Sequence, residues 1–292
     1  YAPDNTPGNK TLFSKSVART LLAKIYAEKP LRDYTKVIQY CDEVKADGFD
    51  LVDDFSDLFG MNAAGTDAKM RNTKESILEA QFTSGAGNWC TWMFGRDLVN
   101  WNNNFTWAKW VTPSRDLISA FKQEGDEVRF KESIVYYDCN WSNYYPSDNY
   151  PFMYKCRSAN SSIIKYRYAD VLLLKAEALI MQDTPDLEGA ADIIDEVRDR
   201  AKLGALPTSV RSNKNVLLNA LLKERRLELA FEGQRWFDLV RLDKVEEVMN
   251  AVYAKDSGRK AQIYTFDKNS YRLPIPQSVI DANDKIHQNP GY

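Results

Sequence analysis

KERRLELAFEGQRWFDLVR, residues 223–241, is the most informative stretch of this chain, and its pattern predicts a helix. The stretch carries more charge than an ordinary amphipathic helix. Glu224, Glu228 and Glu232 recur every four residues and share one face, where unpaired carboxylates would repel each other by about 0.2–0.5 kcal/mol per pair. A guanidinium group can bind a carboxylate through two hydrogen bonds. The arginines within reach are Arg225, Arg226, Arg235 and Arg241.

Two interpretations of this charged helix are open. The first is a half-buried ion-pair network that fixes how two helices meet, and the second is a carboxylate pair for glycoside hydrolysis. We favour the network, because perturbed ion pairs are often structural and because acids on one helical stripe do not face each other across a cleft. The apolar surface of the stretch is assigned to Leu221, Leu222, Leu229, Phe231, Trp236 and Phe237.

The chain ends with LPIPQSVIDANDKIHQNPGY, residues 273–292. Together with ERRLELAFEGQRWFDLVR, this tail closely resembles the C-terminal part of the SusD/RagB family. IIKYRYADVLLLKAEALI at 163–180 and SVARTLLAKIYAE at 16–28 resemble earlier family helices. A typical member is longer at its N-terminus, with a signal peptide, a lipid-bearing cysteine and roughly a further third of the fold. We therefore expect this chain to be a mature or truncated piece.

The family resemblance implies a cellular location and a partner protein for this chain. Family members are outer-membrane lipoproteins that capture glycans or peptides at the extracellular face of the cell. They pass the ligand to a TonB-dependent outer-membrane transporter of the SusC kind. For this chain the resemblance thus implies membrane attachment only through a lipid anchor that the chain itself lacks.

Helical periodicity predicts a mostly α fold of tetratricopeptide-like hairpins that form a curved scaffold. The first hairpin covers 16–46, with Asp33 capping its second helix and Gly48 ending it. The second covers 163–203, and a third pair runs over 214–233 and 235–253. VARTLLAKIYA at 17–27 aligns without gaps with YADVLLLKAEA at 168–178, which favours repeats over a generic bundle. The inward residues of the first helix are expected to be Ala18, Leu21, Leu22 and Ile25.

The domain organisation follows from where this pattern stops. We assign 11–50 and 161–255 to the helical scaffold and 51–160 to a long loop-rich insertion that binds ligand. Within the insertion, SILEAQF at 76–82 is predicted to be a short strand or an extended piece, and PSRDLISAFK at 113–122 a short helix. Residues 256–292 form a C-terminal tail that is expected to pack on the scaffold.

Aromatic residues are concentrated in the insertion, because five of the seven tryptophans fall between residues 89 and 110. Indole rings can stack on the C–H face of a sugar, while asparagine, aspartate and arginine bind its hydroxyl groups. Asn88 and other asparagines are interleaved with these tryptophans, and a second group of tyrosines follows at 136–154. The candidate ligand contacts are Trp89, Trp92, Trp101, Asn102, Trp141 and Tyr144. Trp107 and Trp110 are expected to anchor loops, and Trp236 to lie in the core.

Composition excludes several functions. The 39 basic and 41 acidic residues give a net charge of −2 and form no basic run, which argues against nucleic-acid binding. The one histidine, His287, lies in the tail and is a poor candidate for a catalytic base or a zinc ligand. Together with the aromatic-rich insertion and the family resemblance, these exclusions predict a non-catalytic glycan-binding protein without a cofactor or a metal. The alternatives are a peptide-binding member of the same family and a glycoside hydrolase.

Two further clusters leave alternatives open. Acidic residues recur at Asp47, Asp50, Asp53, Asp54 and Asp57 but lack the pattern of a calcium loop, so a solvated or helix-capping role is the default beside an incidental calcium site. Cys41 is expected to be a small buried hydrophobe. Cys139 and Cys156 flank a loop-like segment, and a bridge between them is one possibility in an oxidising compartment.

Overall fold

The computed structural model describes residues 3–4, 8–83, 87–88, 112–139, 145–255 and 265–292. Within these ranges the α-helices are α1 Lys15–Ala27, α2 Tyr34–Ala46, α3 Ser56–Phe59, α4 Arg115–Glu124, α5 Glu127–Ser133, α6 Tyr168–Met181, α7 Leu187–Arg200, α8 Thr208–Arg211, α9 Lys214–Glu228, α10 Arg235–Arg241, α11 Val245–Lys255 and α12 Gln277–Asp281. Short 3₁₀-helices cover Lys29–Leu31 and Lys268–Tyr271. The strands are β1 Ser76–Ala80, β2 Ile134–Tyr137, β3 Tyr150–Met153 and β4 Ile163–Arg167. The prediction of a mostly α fold is confirmed.

The first hairpin, α1 with α2, has the predicted bounds and caps. The Asp33 carboxylate accepts a hydrogen bond from the Lys36 amide at 3.1 Å, and Gly48 follows α2 with a φ of +88°. The predicted inner face of α1 is wrong, because Leu21 and Ile25 are 36% and 37% exposed. The buried face instead carries small side chains: Ser16, Val17, Thr20, Ala23 and Ala27. Small residues let α2 and α6 approach the α1 backbone closely, whereas leucines would hold them apart.

The second hairpin, α6 with α7, forms the centre of the main hydrophobic core, and α2 and α9 both pack against α6. The stretch at 163–167 is not part of α6, as the sequence had suggested, but forms strand β4. β4 pairs antiparallel with the predicted strand β1, with an irregular register near Leu78. Its β-branched pair Ile163–Ile164 suits a strand better than a helix end.

The charged stretch at 223–241 is not one continuous helix. α9 ends at Glu228, and Phe231 and Gly233 take positive φ angles of 65° and 77° before α10 begins. Glycine adopts that conformation at little steric cost, which explains why the helix breaks there. The second helix of the predicted third pair is also divided, because Asp243 has a φ of 55° between α10 and α11.

The chain divides into two units, Tyr1–Gln234 and Arg235–Tyr292. In the second unit, the rings of Trp236 and Tyr253 lie against Phe266, with centroids 6.2 and 5.4 Å away. Trp236 is half-buried rather than fully in the core, and Phe237, assigned to the apolar surface, is 61% exposed. The tail folds back on itself, since the Gln288 amide binds both the N–H and the C=O of Ile275. His287 is exposed. That the tail packs on the scaffold remains a prediction.

Candidate ligand-binding site

The hairpin of β2 and β3 lies within residues 51–160, the stretch that is predicted to be a ligand-binding insertion. The strands pair antiparallel from Ile134 opposite Met153 to Tyr137 opposite Tyr150. Tyr150 is buried, and its ring lies 5.0 Å from Phe152 and 5.6 Å from Tyr145. This aromatic cluster stiffens the hairpin, because offset and edge-to-face ring pairs add to the burial of their area.

The hairpin and the segment after it fasten the chain next to both aromatic-rich stretches. On one side, Asn88 is bound through its side-chain N–H groups to the carbonyl oxygens of Ser158, Ala159 and Ser161 at 2.8–3.2 Å. At the other end, the Thr112 and Tyr150 hydroxyls are 2.9 Å apart, and the Tyr145 hydroxyl donates to the Pro113 carbonyl at 2.7 Å. Asn88 is thus a buried anchor and not a sugar-binding residue.

An open depression of about 510 Å³ lies beside this hairpin. The face of α4 supplies one wall, since side chains three and four positions apart share a helix face. β2 and the connection to β3 supply the other wall. The lining residues are Arg115, Ile118, Ser119, Lys122, Gln123, Tyr136, Tyr145, Pro146 and Asn149. The volume falls within the ~300–1,000 Å³ range of small-ligand sites.

The lining combines aromatic rings with hydrogen-bonding groups. Tyr136 and Tyr145 are half-buried, and the Arg115 guanidinium lies over the Tyr145 ring, 4.4 Å from its centroid. Burial raises the pKa of Tyr136, because it disfavours the charged phenolate. Ser119, Gln123 and Asn149 are exposed around the rings. Apolar ring faces with a polar rim are the arrangement that a pyranose ring requires.

All six predicted contact residues, Trp89, Trp92, Trp101, Asn102, Trp141 and Tyr144, lie outside the described residues, as do Trp107, Trp110 and Cys90. Of the second aromatic group, Tyr136 and Tyr145 line the depression, whereas Tyr150 belongs to the buried cluster. Sequence reasoning missed Arg115 and Lys122. Their spacing along one face of the predicted helix at 113–122, next to an aromatic-rich stretch, was the available signal.

Beneath the hairpin lies a buried ion-pair network centred on Glu228, whose side chain is fully buried. Its carboxylate accepts hydrogen bonds from Arg129, at 3.0 Å, and from Arg167 and Arg200. Arg129 also binds Glu224 at 2.5 Å and Asp126 at 2.6 Å. The favoured interpretation of the charged stretch, an ion-pair network, is confirmed. The network joins more than two helices, however, and its arginines are not those predicted.

The network continues through two further carboxylates. Glu75, just before β1, accepts from Arg167 at 2.7 Å and from Arg200 at 2.8 Å. Glu232, after α9, accepts from Arg167 at 2.7 Å and from Lys155 at 2.6 Å. These pairs tie β1, the end of β4, α7 and α9 into one unit.

The same network holds both ends of the β2–β3 hairpin. Arg129 lies on α5, which runs directly into β2, and Lys155 follows β3 by two residues. Lys155 also donates to the Glu228 carbonyl at 2.8 Å, and Arg157 binds Glu132 at 2.8 Å across the base of the hairpin. The ion pairs of the charged stretch therefore position the tyrosines of the depression. They give this stretch a structural role. Glu224, Glu228 and Glu232 are all engaged by these cations.

Arg225 was expected to pair with a glutamate of its own stretch, Glu228 or Glu232, and the structure corrects this. Arg225 does not reach Glu228 or Glu232 but binds the Asp170 carboxylate on α6 at 2.8 Å. The second Asp170 oxygen accepts from Lys24 of α1 at 2.6 Å. This triad, in which Asp170 and Arg225 are buried and Lys24 is partly exposed, links α1, α6 and α9. Arg226 instead binds Asp116 of α4 at 2.6 Å, where both side chains are partly exposed.

Acid is expected to unfold the protein through these carboxylates. Burial alone would raise the pKa values of Glu228, Glu232 and Asp170, but the facing cations outweigh burial and hold all three below the ordinary range. A carboxylate with a lowered pKa contributes stability above its unfolded pKa, and this stability is lost as the pH falls through the folded pKa.

We expect the unfolding free energy, measured with urea, to decrease steadily from about pH 5 to pH 3. Asp170→Asn should decrease less steeply, and an unchanged slope would contradict this role for Asp170.

The other two clusters form no reactive site among the described residues. Asp50 and Asp53 bind Lys74, Asp54 and Asp57 bind Lys69, and Asp47 binds Arg19. These aspartates thus pair with cations of the chain, and no group of three or more metal-ligating side chains occurs in the described ranges. Cys41, Cys139 and Cys156 are buried free thiols, so the possible bridge between Cys139 and Cys156 is absent. Burial raises the pKa of the Cys41 thiol, as expected for a small hydrophobe.

The architecture defines a class: a scaffold of tetratricopeptide-like helical hairpins. The SusD family model matches residues 145–292, and the chain belongs to the SusD family. The chain is 43% identical to SusD-like protein P38 of Formosa agariphila over 99 residues, 32% of this chain and 19% of that protein. It is 36% identical to SusD-like protein P2 of the same organism over 143 residues, 47% of this chain and 27% of that protein.

Solved structures share the fold. A laminarin binding SusD-like protein has a TM-score of 0.69 and 24% identity over 100% of this chain and 66% of its own length. Surface glycan-binding protein A from Bacteroides thetaiotaomicron, in complex with laminarihexaose, has a TM-score of 0.74 and 20% identity over 99% of this chain and 66% of its own. The chain thus spans about two thirds of these structures and a smaller part of the curated relatives. Within the described ranges, no helix has both the length and the apolar character needed to cross a membrane.

Proposed function

We propose that this protein binds oligosaccharides at the cell surface without cleaving them. The observation that carries the proposal is the depression of about 510 Å³, in which tyrosine rings and polar groups face solvent beside the β2–β3 hairpin of a SusD-family scaffold. The structural neighbours that bind laminarin or laminarihexaose support a saccharide as the ligand. The buried ion pairs beneath the hairpin support a rigid site, which lowers the entropy lost on binding.

The ligand contacts that we propose are Trp89, Trp92, Trp101, Asn102, Trp141 and Tyr144, together with Tyr136. The proposed setting is the extracellular face of the outer membrane, where the protein delivers its ligand to a TonB-dependent transporter. Family membership supports this setting and this partner.

Tyrosine and tryptophan truncations test the site. Trp89→Ala, Trp92→Ala and Tyr136→Ala are each expected to weaken glycan binding by about 1–3 kcal/mol if the rings stack on sugar. Intrinsic fluorescence and calorimetric titration with a panel that includes laminarihexaose would measure the loss. Phe13→Ala is a matched control, because Phe13 is a 55% exposed aromatic that does not line the depression.

Three outcomes, two from these titrations and one from an assay for reducing ends, would contradict the proposal. Equal losses in Phe13→Ala and Tyr136→Ala would remove the depression as the site. Saturable binding of a peptide digest, with no response to any glycan, would favour the peptide-binding alternative. Steady release of reducing ends from a bound glycan, lost on mutation of one carboxylate, would favour the hydrolase alternative.

A further inference from the structure

Helix α1 has a second apolar face, which carries its larger side chains. The residues of this face recur at i, i+3, i+4 and i+7, the spacing of a helix face that packs on a core. They are Ala18, Leu21, Leu22 and Ile25, and together they form the α1 stripe. Leu21 and Ile25 are 36% and 37% exposed, whereas the small residues of α1 face the core. The stripe therefore has the pattern of a buried face but lies at the surface.

The internal repeat shows how the same positions are used in the second hairpin. In the gapless alignment of the two leading helices, the α1 stripe corresponds to Ala169, Leu172, Leu173 and Ala176 of α6. All four are at most 4% exposed. α6 packs against its hairpin partner α7, against α9, and against α2, the second helix of the hairpin before it. The positions of the stripe are thus buried where a preceding hairpin is present.

The contact between α2 and α6 indicates which kind of helix fits the stripe. Leu172, the counterpart of Leu21, lines a small cavity together with Cys41 of α2. The buried residues of α2 are Val37, Cys41 and Val44, which share one face at i, i+4 and i+7. The fitting partner is therefore an amphipathic helix with small or branched apolar residues at this spacing.

The polar contact between α2 and α6 has no equivalent at the stripe. Lys175 of α6 binds Asp42 of α2. Its counterpart in α1, Lys24, binds Asp170 at 2.6 Å and Gln234 at 2.9 Å instead. A helix on the stripe thus meets an apolar face and does not have to supply a carboxylate for Lys24.

We propose that the α1 stripe is the contact surface for a further helical hairpin of the same polypeptide, from a segment outside residues 1–292. The second helix of that hairpin lies on α1 as α2 lies on α6. A hairpin at the end of such a stack carries a polar outer face, whereas the outer face of α1 is apolar. Each hairpin of a stack contacts its neighbours in sequence, which favours the same polypeptide over a separate partner. The length of the solved structures agrees, since this chain covers 66% of them.

Cysteine labelling of the full product of the gene tests the inference. Ile25→Cys is compared with Val216→Cys on α9, and alkylation by iodoacetamide is followed at each site by peptide mass spectrometry. The two positions are 37% and 43% exposed, so they should label at similar rates in the chain of residues 1–292. In the full product, Ile25→Cys should label about tenfold or more slowly than Val216→Cys, because a covered thiol is not accessible to the reagent.

Leu21→Asp provides a second variant, because a carboxylate without a partner is not tolerated beneath a docked apolar helix. In the full product that carries Ile25→Cys, Leu21→Asp should raise the labelling rate of the cysteine to that of Val216→Cys. Val216→Asp adds the same charge on α9 and should leave the rate of Ile25→Cys unchanged.

Three results would overturn the inference. The first is equal labelling of Ile25→Cys and Val216→Cys in the full product. The second is slow labelling of Ile25→Cys that Leu21→Asp does not accelerate. The third is slow labelling in the chain of residues 1–292 that becomes faster on dilution, which would show that a second copy of the chain covers the stripe.

Discussion

Glu228→Gln is expected to lower the free energy of unfolding by about 3–5 kcal/mol, because it removes a buried negative charge that three buried arginines share. Arg129, Arg167 and Arg200 converge on this carboxylate, and all three side chains are at most 4% exposed. A glutamine would point one amide N–H₂ group at guanidinium donors, which leaves buried donors without acceptors. Urea unfolding at pH 7 measures the change.

Glu188→Gln is the control for that experiment. Glu188 binds Arg211 on the surface, where its side chain is 71% exposed, and its loss should cost at most about 1 kcal/mol. Since the network holds the β2–β3 hairpin, Glu228→Gln should also weaken glycan binding, whereas Glu188→Gln should not. Equal unfolding free energies for the two variants would show that the network does not stabilise the fold.

Arg225→Ala is expected to cost about 3 kcal/mol or more of unfolding free energy, for a reason that the sequence did not reveal. Its removal leaves the buried Asp170 carboxylate with Lys24 as its remaining charged partner in the triad. It also takes away the bond that joins α9 to α6 in the centre of the hairpin stack. Thermal and urea unfolding would both report the loss.

The adjacent Arg226→Ala is the matched control for Arg225. Arg226 and its partner Asp116 are 20% and 19% exposed, so water screens the pair and its loss should cost about 1 kcal/mol or less. A larger effect at Arg226 than at Arg225 would contradict the assignment of Asp170 as the group that depends on Arg225.

Local patterns in the sequence were enough to predict the first two helical hairpins, but not the breaks in the third pair. The cap at Asp33, the stop at Gly48 and the strand at 76–80 all depend on neighbouring residues, and the structure has each of them. The inner face of α1 was mispredicted because apolar side chains occupy more than one face of that helix. Only the small side chains fit where α2 and α6 approach.

The partners of Glu228 could not be predicted from its helix. Arg129, Arg167 and Arg200 are 99, 61 and 28 positions away in sequence, and no local pattern marks such contacts. The sequence did indicate that so many acids on one stripe require cations. It pointed to the arginines of the same stretch, whereas burial in the centre of the fold recruits cations from other elements.

The sequence predicted some of the residues that line the depression and missed others. The tyrosines at 136 and 145 were recognised as part of an aromatic group, and they line the depression. Arg115 and Lys122 were missed because their relevance depends on how α4 packs beside β2. Asn88 was grouped with sugar-binding residues on composition, although its amide is used by the carbonyl groups of 158–161.

Hydrogen–deuterium exchange, with and without a saturating oligosaccharide, tests where the ligand binds. The proposed site is the aromatic-rich insertion, which the ion-pair network around Glu228 supports. We predict protection from exchange in peptides that cover α4 and the β2–β3 hairpin, and in those that contain Trp89, Trp92 or Trp101. The hairpins α1–α2 and α6–α7 should exchange equally in both states. Protection confined to those helical hairpins, with none around Tyr136 and Tyr145, would contradict the proposed site.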